Sequence, residues 1–310
     1  MKDKISIITT FYNSEDYILQ AINSVNSQII SDDFDVEYIL VNDQSTDKTF
    51  DIIKYFFSKI KNDKIEVRII NTPNNLGVGS ARKLGIKEST GNYLMFLDSD
   101  DYYLNNNFLL KAYYNITKNN ADVVDFGYLL RHPQNFNVIQ RVSQKDYILE
   151  NNKLVNMRFL FVENKINFMI WTKIIKKSLI NLDEYSDSRT FDDIESVPKI
   201  IYNANKIVVI NSVEVNYRCK QNSIFNSDEY VVRYESTKAS SKLFEYFKDN
   251  VDILKMIYDR CFIDLETILS LNSNSEYFRK MSKLNTYMLS YIYPNDYKDI
   301  TYDVENDNNK

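Results

Sequence analysis

Residues 91–101 read GNYLMFLDSDD, a short apolar run that ends in three carboxylates, Asp98, Asp100 and Asp101. Such a run is typical of a strand buried on both faces, and open α/β sheets bind their ligands beyond the carboxyl ends of strands. Because neighbouring acids repel one another, they favour a hard, oxygen-binding cation such as Mg²⁺ or Mn²⁺ that bridges to a phosphate. The alternative is a solvated turn, where acidic residues are common.

The composition is that of a globular protein of 310 residues, 44% hydrophobic and 26% charged, with a formal net charge of −5. Basic and acidic residues are interspersed, so the basic stripe of a nucleic-acid binder is missing and nucleic acid is not expected as a partner. The two cysteines, Cys219 and Cys261, form no C-x-x-C pair and indicate a reducing compartment. With one histidine, His132, neither a histidine-rich metal site nor a Ser-His-Asp triad is supplied.

The sequence predicts no membrane span, since no stretch approaches the roughly 18 apolar residues that a span needs. Acids at Glu15 and Asp16 follow the first apolar run too closely for a signal peptide. We therefore expect a cytoplasmic protein, with peripheral attachment to a membrane left open.

Strand and helix patterns alternate up to about residue 130. The predicted strands are 5–10, 36–41, 65–70 and 93–97, and the predicted helices are 14–27, 46–59 and 80–88. This alternation predicts an α/β fold, Rossmann-like, with a mostly parallel sheet and helices on both faces. Further along, the patterns favour a helix over 153–161, an acidic loop over 183–195 and a strand over 206–210. From residue 226 the spacing is helical, and the polar tail 301–310 is expected to fray.

Three more polar segments follow predicted strands, and so are expected on the same rim as the acids. They are residues 10–13 (TFYN), 42–47 (NDQSTD) and 74–82 (NNLGVGSAR). An aromatic ring can stack on a base, a carboxylate can accept from a base or ribose, and a helix N-terminus near an arginine favours phosphate. Singly, these features could be a helix cap, a turn glycine or a helix-surface arginine. Together they indicate a nucleotide site.

The order of these motifs resembles the family 2 inverting glycosyltransferases, which bind nucleotide sugars on a GT-A fold. The resemblance covers residues 4–104 and, more weakly, 165–225. It implies a GT-A domain over residues 1–225, with a nucleotide-sugar-binding half, 1–130, and an acceptor-side half, 131–225. A helical extension over 226–310 would follow.

The resemblance also implies roles for individual residues. Phe11 and Asp43 would contact the nucleobase, and Asp98 the ribose. The residues expected at the nucleotide sugar are Phe11, Glu15, Asp43, Arg82, Asp98 and Ser99, with Arg82 near base or phosphate and Asp100 as the main protein ligand of a divalent cation. Glu15 could equally be an acid that favours the start of a helix.

Residues 191–194 (FDDI) match the family's catalytic acids, and Asp193 matches the general base. An inverting transfer needs a carboxylate that deprotonates the acceptor hydroxyl as it attacks the anomeric carbon. The neighbouring Asp192 should raise the pKa of Asp193. Asp192 and Glu195 stay open as alternative bases, and an acidic start of the following helix is the structural alternative.

Four departures from the family pattern bear on these roles. Asn42 replaces the usual first acid, Gln44 stands where glycine is common, and Thr10 stands where proline is common. Residues 217–223 resemble the closing motif but lack its histidine. Binding of the nucleobase would then depend on Asp43, and binding of the cation on Asp100, the diphosphate and water.

The expected activity is transfer of one sugar from a nucleotide donor, with a UDP-sugar favoured, to a hydroxyl of a glycan, lipid-linked or protein acceptor. A nucleotidyltransferase is disfavoured because it uses a Gly-rich loop after the first strand, and no glycine precedes Gly77. A glycoside hydrolase would use paired carboxylates without nucleotide motifs. A catalytically silent binding protein is the third alternative, suggested by Asn42 and Gln44. Fold likeness fixes neither sugar nor acceptor.

Overall fold

The computed structural model describes residues 2–60, 62–131, 138–219, 228–270 and 275–297. The chain forms two compact units, Met1–Asn156 with Lys165–Cys219, and Met157–Asn164 with Lys220–Lys310. His132, the proposed division at residue 225 and the tail 301–310 lie outside the described residues.

One ten-stranded sheet forms the first unit, in the order β3-β2-β1-β4-β9-β6-β10-β5, with β7 paired to β6 and β8 to β10. The strands are β1 Asp3–Phe11, β2 Phe34–Asn42, β3 Ile65–Asn71, β4 Tyr93–Phe96, β5 Tyr102–Tyr103, β6 Val123–Arg131, β7 Val138–Arg141, β8 Tyr147–Glu150, β9 Lys173–Lys176 and β10 Lys206–Arg218. The expected α/β class is confirmed. The sheet is mixed, because β1 to β4 pair in parallel, as do β6 and β10, whereas β5, β7, β8 and β9 pair antiparallel.

Strand β1 lies at the centre of the parallel half. Its register runs from Asp3 opposite Phe34 to Phe11 opposite Asn42 on one side, and pairs Ile5 with Tyr93 on the other. Its apolar residues are almost wholly buried, as expected for a strand covered on both faces. Because these strands run in parallel, the polar segments after β1, β2 and β4 share one edge of the sheet.

The first three helices of the first unit follow the predicted alternation, whereas the helix after β5 was not predicted. The helices of this unit are α1 Ile18–Asn26, α2 Thr49–Lys59, α3 Val78–Glu88, α4 Phe108–Lys118 and α6 Asp192–Asn203, while α5, Lys153–Phe161, spans the boundary of the two units. Helix α6 begins at Asp192, so the end of the expected acidic loop is the first helical turn. Acids at that position are favourable for the helix.

The structure differs from the predicted strands in the second half of the sheet. Strand β9 is inserted antiparallel between β4 and β6. Strand β10 extends to Arg218, beyond the predicted end at residue 210, with register shifts between Val209 and Val215. The polar residues at these shifts, Asn211 and Ser212, break the apolar pattern from which the strand was predicted.

The second unit is helical, which confirms the expected extension. Its helices are α7 Glu229–Ser241, α8 Leu243–Tyr246, α9 Val251–Leu269 and α10 Glu276–Ile292. Helix α9 buries residues at helical spacing, among them Leu254, Ile257, Cys261 and Leu265. Among the helices of the described residues, none has the length and apolar character to cross a membrane.

Glycine at position 85 allows α3 to lie close to the sheet. A Cβ there would stand 2.5 Å from Cγ2 of Ile8 and 3.2 Å from Cγ2 of Val41. We predict that Gly85→Ala lowers the free energy of unfolding by about 1–2 kcal/mol, because overpacking outweighs the gain in helix propensity. Urea unfolding measures the loss.

The matched control is Lys87→Ala on the exposed face of the same helix. Its effect should stay within about 0.5 kcal/mol. Equal effects of the two substitutions would contradict the close approach of α3 to β1.

Candidate active site

One guanidinium joins three carboxylates at the carboxyl edge of the sheet. Arg82 on α3 donates from Nη1 to both oxygens of Asp192 at 2.8 Å and to Oδ1 of Asp193 at 2.7 Å, and from Nη2 to Oδ1 of Asp98 at 2.5 Å. Arg82 is 4% exposed. This cluster brings together the acid after β4 and the acid pair of α6, which are far apart in sequence.

The charges of this cluster are unbalanced, with one cation facing three acids. The pKa of Asp193 is raised to about 7, mainly by burial and also by the negative charges of Asp192 and Asp98, against the lowering effects of Arg82 and of the Ile170 N–H. Burial also raises the pKa of Asp192 against the effect of Arg82. A carboxyl with a pKa near neutrality can take up and release a proton at physiological pH.

Asp193 is the more accessible acid of this pair. Its side chain is 18% exposed, whereas that of Asp192 is 3% exposed and bound through both oxygens to Arg82. The backbone N–H of Ile170 donates to Oδ2 of Asp193 at 3.3 Å. Asp192, one of the two alternative bases, therefore has both carboxylate oxygens bound by Arg82.

Glu195, the other alternative base, holds a loop in place. It accepts from the hydroxyls of Ser186, at 2.7 Å, and Ser188, at 2.5 Å, and is 6% exposed. The geometry thus favours Asp193 over both alternatives.

The carboxylates of the acidic turn after β4, residues 98–101, differ in burial. Asp101 is 1% exposed and accepts from the backbone N–H of Arg218 at 2.9 Å, so it anchors the end of β10. Asp98 and Asp100 are partly exposed. Ser99 is 8% exposed, and its hydroxyl shares a 2.7 Å hydrogen bond with that of Ser14.

The beginning of the closing motif lies beside this turn. Burial raises the pKa of Tyr217, and the nearby Asp101, Cys219, Asp100 and Asp98 raise it further. The Tyr217 ring stacks on Trp171 at a centroid distance of 5.4 Å. Residues 220–223 of the motif lie outside the described residues.

The donor atoms of the acidic turn suit a hard cation. Within the described ranges, no three His, Cys, Asp or Glu side chains are grouped so that they could hold a metal by themselves. Asp100 provides carboxylate oxygens, which Mg²⁺ and Mn²⁺ prefer, and Mg²⁺ typically takes its remaining ligands from phosphate and water. The residues present therefore fit a cation that arrives with a diphosphate.

Asp43 after β2 holds the loop that follows β3. Its carboxylate, 4% exposed, accepts from the backbone N–H groups of Leu76 at 2.9 Å and Gly77 at 2.8 Å, and from the Thr72 hydroxyl at 2.8 Å. A carboxylate oxygen has more than one acceptor site. The role predicted at the nucleobase is compatible with these contacts and stays a prediction.

The Gly-rich segment at the start of α3 packs against residues 186–189. Gly79 donates its N–H to the carbonyl of Ser188 at 3.1 Å, and a Cβ at this position would lie 2.5 Å from that oxygen. Arg189 donates to the carbonyl of Asn75 at 3.0 Å. Instead of a phosphate cradle at this helix end, the structure has a close contact with residues 186–189, and Arg82 points to the acids.

The aromatic residue expected at the nucleobase is buried. Phe11 is 2% exposed, whereas the adjacent Tyr12 is 49% exposed. Stacking requires an accessible ring face, which Phe11 lacks because it points into the core from the end of β1. Of the two rings in this segment, Tyr12 is the accessible one.

Three other polar residues of the rim shape local backbone. Glu15 accepts from the N–H of Lys48 at 3.0 Å, at the start of α2. Asn42 accepts from the N–H of Ser45 at 2.9 Å. Gln44 has φ of +65°, a left-handed conformation that explains why glycine is common there.

Two charged residues next to the site were not predicted from the sequence. Asp125 on β6 and Lys173 on β9 are both 0% exposed and form an ion pair at 2.8 Å. The sequence does contain a signal for both residues, because each is a charged residue within an apolar segment. Asp125 lies in VVDFG and Lys173 in TKII. Lys and Asp are seldom fully buried unless paired.

Curated relatives include two bacterial glycosyltransferases. Glycosyltransferase GlyG of Streptococcus pneumoniae is 28% identical over 237 residues, 74% of this chain and 75% of that protein. Poly(ribitol-phosphate) beta-glucosyltransferase of Bacillus spizizenii is 31% identical over 232 residues, 74% of this chain but 34% of that protein. The chain thus spans about a third of the length of the second relative.

Solved structures show the same fold. S. aureus TarS 1–349 in complex with UDP-GlcNAc superposes with a TM-score of 0.57 at 20% identity, over 94% of this chain and 91% of that chain. Mannosyltransferase PcManGT from Pyrobaculum calidifontis, in complex with GDP-Man and Mn²⁺, gives 0.52 at 12% identity, over 97% and 89%.

A family model described as Glycosyl transferase family 2 matches residues 6–178, more than half of the chain. The matched range contains β1 from residue 6 onward, β2 to β4, the acidic turn and Arg82. The chain is a glycosyltransferase and belongs to glycosyl transferase family 2.

Proposed function

We propose that this glycosyltransferase moves a sugar from a UDP-sugar to an acceptor hydroxyl with inversion, with Asp193 as the general base. The observation that carries this proposal is the cluster around Arg82. One buried guanidinium contacts both Asp98, on the donor side, and Asp193, so donor and base lie one side chain apart.

Asp193 would take the proton of the acceptor hydroxyl while the hydroxyl oxygen forms a bond to the anomeric carbon. The bond from that carbon to the diphosphate oxygen would break on the opposite face. Its raised pKa and its 18% exposure suit this task. Arg82 would keep the carboxylate oriented through Oδ1. A divalent cation held by Asp100, diphosphate and water would supply positive charge for the departing diphosphate.

Names of similar proteins support the donor and the kind of acceptor. S. aureus TarS 1–349 was solved with UDP-GlcNAc and with UDP, and two relatives are named as poly(ribitol-phosphate) transferases. We infer a UDP-sugar as donor and a hydroxyl of a polymer as acceptor. Tyr12, the exposed ring after β1, is the residue that we place at the nucleobase.

Nucleotide binding should stabilise the fold in a metal-dependent way. We predict that UDP-sugar with Mn²⁺ raises the melting temperature by several degrees, since a ligand at 100 times its Kd adds about 2.7 kcal/mol. Asp100→Ala should remove the Mn²⁺-dependent part of this shift, and the exposed Asp183→Ala should retain it. An unchanged Mn²⁺ effect in Asp100→Ala would refute its role as ligand.

Replacing the base should separate catalysis from binding. We predict that Asp193→Asn lowers kcat for donor hydrolysis and transfer by about 10²–10⁴-fold, because the proton acceptor is lost. The Kd for UDP should change less than threefold by calorimetry. Asp187→Asn, an exposed acid of the preceding loop, is the matched control. Equal loss of binding and turnover would argue against the base role, and a wild-type chain that binds UDP-sugar without turnover would be a silent binder.

The pKa of Asp193 predicts the acid limb of the pH profile. Its ionised form is the base, so activity should rise with pH through about 7 and fall about tenfold per unit below it. Initial rates between pH 5 and 8 measure this limb at a fixed saturating Mn²⁺ concentration. Rates that stay constant over this range would contradict the assignment.

A further inference from the structure

A buried ion pair lies under the segment that contacts Asp193. Asp125 of β6 is opposite Lys173 of β9 in the antiparallel register, and Nζ of Lys173 lies 2.8 Å from Oδ1 of Asp125. Both residues are 0% exposed. Because a buried ion pair is rarely more stable than a packed apolar pair, stability alone does not account for it.

The lysine also binds the backbone of the segment before it. Its ammonium donates to the carbonyls of Asn167 at 2.5 Å and Met169 at 3.0 Å, and to the Thr172 hydroxyl at 3.0 Å. Two carbonyls that face one ammonium bend residues 167–172 around it. The curvature of this segment therefore depends on the Lys173 ammonium.

The carboxylate of Asp125 secures the same segment at both ends. Its Oδ2 accepts from the backbone N–H of Asn167 at 2.9 Å, and its Oδ1 accepts from the Thr172 hydroxyl at 2.6 Å. Between these ends lies Ile170, at the start of a short 3₁₀ turn, Ile170–Thr172. The polar network thus encloses Ile170.

Ile170 provides the link to the base. Its N–H donates to Oδ2 of Asp193 at 3.3 Å, while Arg82 donates to Oδ1 at 2.7 Å. The carboxylate is therefore located by one donor on each oxygen. Burial lowers the pKa of Lys173, and the negative charges of Asp125 and Asp193 oppose this shift, which is consistent with their proximity.

We propose that Lys173, neutralised by Asp125, is a positioning residue that fixes the Ile170 amide and through it the orientation of the Asp193 carboxylate. This inference rests on the proposed function of Asp193 as the base. Without the ammonium, the Asn167 and Met169 carbonyls lose their common partner and the amide loses its fixed direction. Small displacements of a catalytic group are costly for the rate.

Two substitutions at the pair separate positioning from stability. Lys173→Met removes the ammonium at similar volume, whereas Asp125→Asn keeps the ammonium and its carbonyl contacts. The control is Glu214→Gln, which neutralises a 0% exposed carboxylate paired with Lys111 elsewhere in the first unit. All three should lower the melting temperature, since each disturbs a buried ion pair.

Turnover should distinguish them. We expect Lys173→Met to lower kcat for donor hydrolysis about 10- to 100-fold, the range seen when a supporting contact of a functional group is lost. The KM for the donor should stay within about twofold, since the Lys173 side chain is wholly buried. Glu214→Gln should keep kcat within about fivefold, and Asp125→Asn should lower kcat less than Lys173→Met does, because the ammonium and its carbonyl contacts are kept. A kcat for Lys173→Met as high as that of Glu214→Gln would overturn the proposal.

A second readout needs no turnover. Hydrogen exchange of the Ile170 amide should accelerate about tenfold or more in Lys173→Met relative to core amides of β1, and not in Glu214→Gln. Unselective acceleration, or none, would overturn the positioning role. If the wild-type chain turned over no nucleotide sugar, the proposed function would fail, while selective exchange at Ile170 would still support the Lys173 contact.

Discussion

The structure of the site depends on the electrostatics of one buried cation. The Arg82 guanidinium, 4% exposed, cannot be left unpaired at this depth, and it is paired by acids from two separate parts of the chain. The turn after β4 and the first turn of α6 must therefore meet at α3. Burial, with the negative charges of Asp192 and Asp98 adding to it, raises the pKa of Asp193 to about 7, above that of an ordinary aspartate.

The parallel half of the fold was predictable because its signals are local. Buried strands read as apolar runs and amphipathic helices as spaced apolar residues, so β1 to β4 and the helices between them were found from the sequence. The antiparallel insertion of β9 was not, since a four-residue strand carries little pattern and its neighbours in the sheet are distant in sequence. The shifted second half of β10 was missed for a related reason, because its polar residues interrupt the apolar pattern.

The residues of the site were predictable as a set, and their contacts were not. Sequence placed Asp43, Arg82 and Asp98 on one rim and the resemblance added Asp193, but the pairing of Arg82 with the acids required three-dimensional proximity across about a third of the chain. Phe11 and Tyr12 illustrate the limit, because Phe11 is the buried last residue of β1, whereas Tyr12 follows the strand and is 49% exposed. A family motif identifies the segment, while the point at which the strand ends decides which side chain is accessible.

The antiparallel pairing of β4 with β9 limits how residues 1–130 could be separated from the rest of the chain. A fragment ending near residue 130 would retain β4 without that partner and expose a row of unpaired N–H and C=O groups, a template for intermolecular pairing. The same fragment would keep the Arg82 charge without two of its three acids. The region that reads as a nucleotide-binding module is thus not a transferable one, and recombination between family members is constrained to keep residues 173–193 together with the strands that they complete.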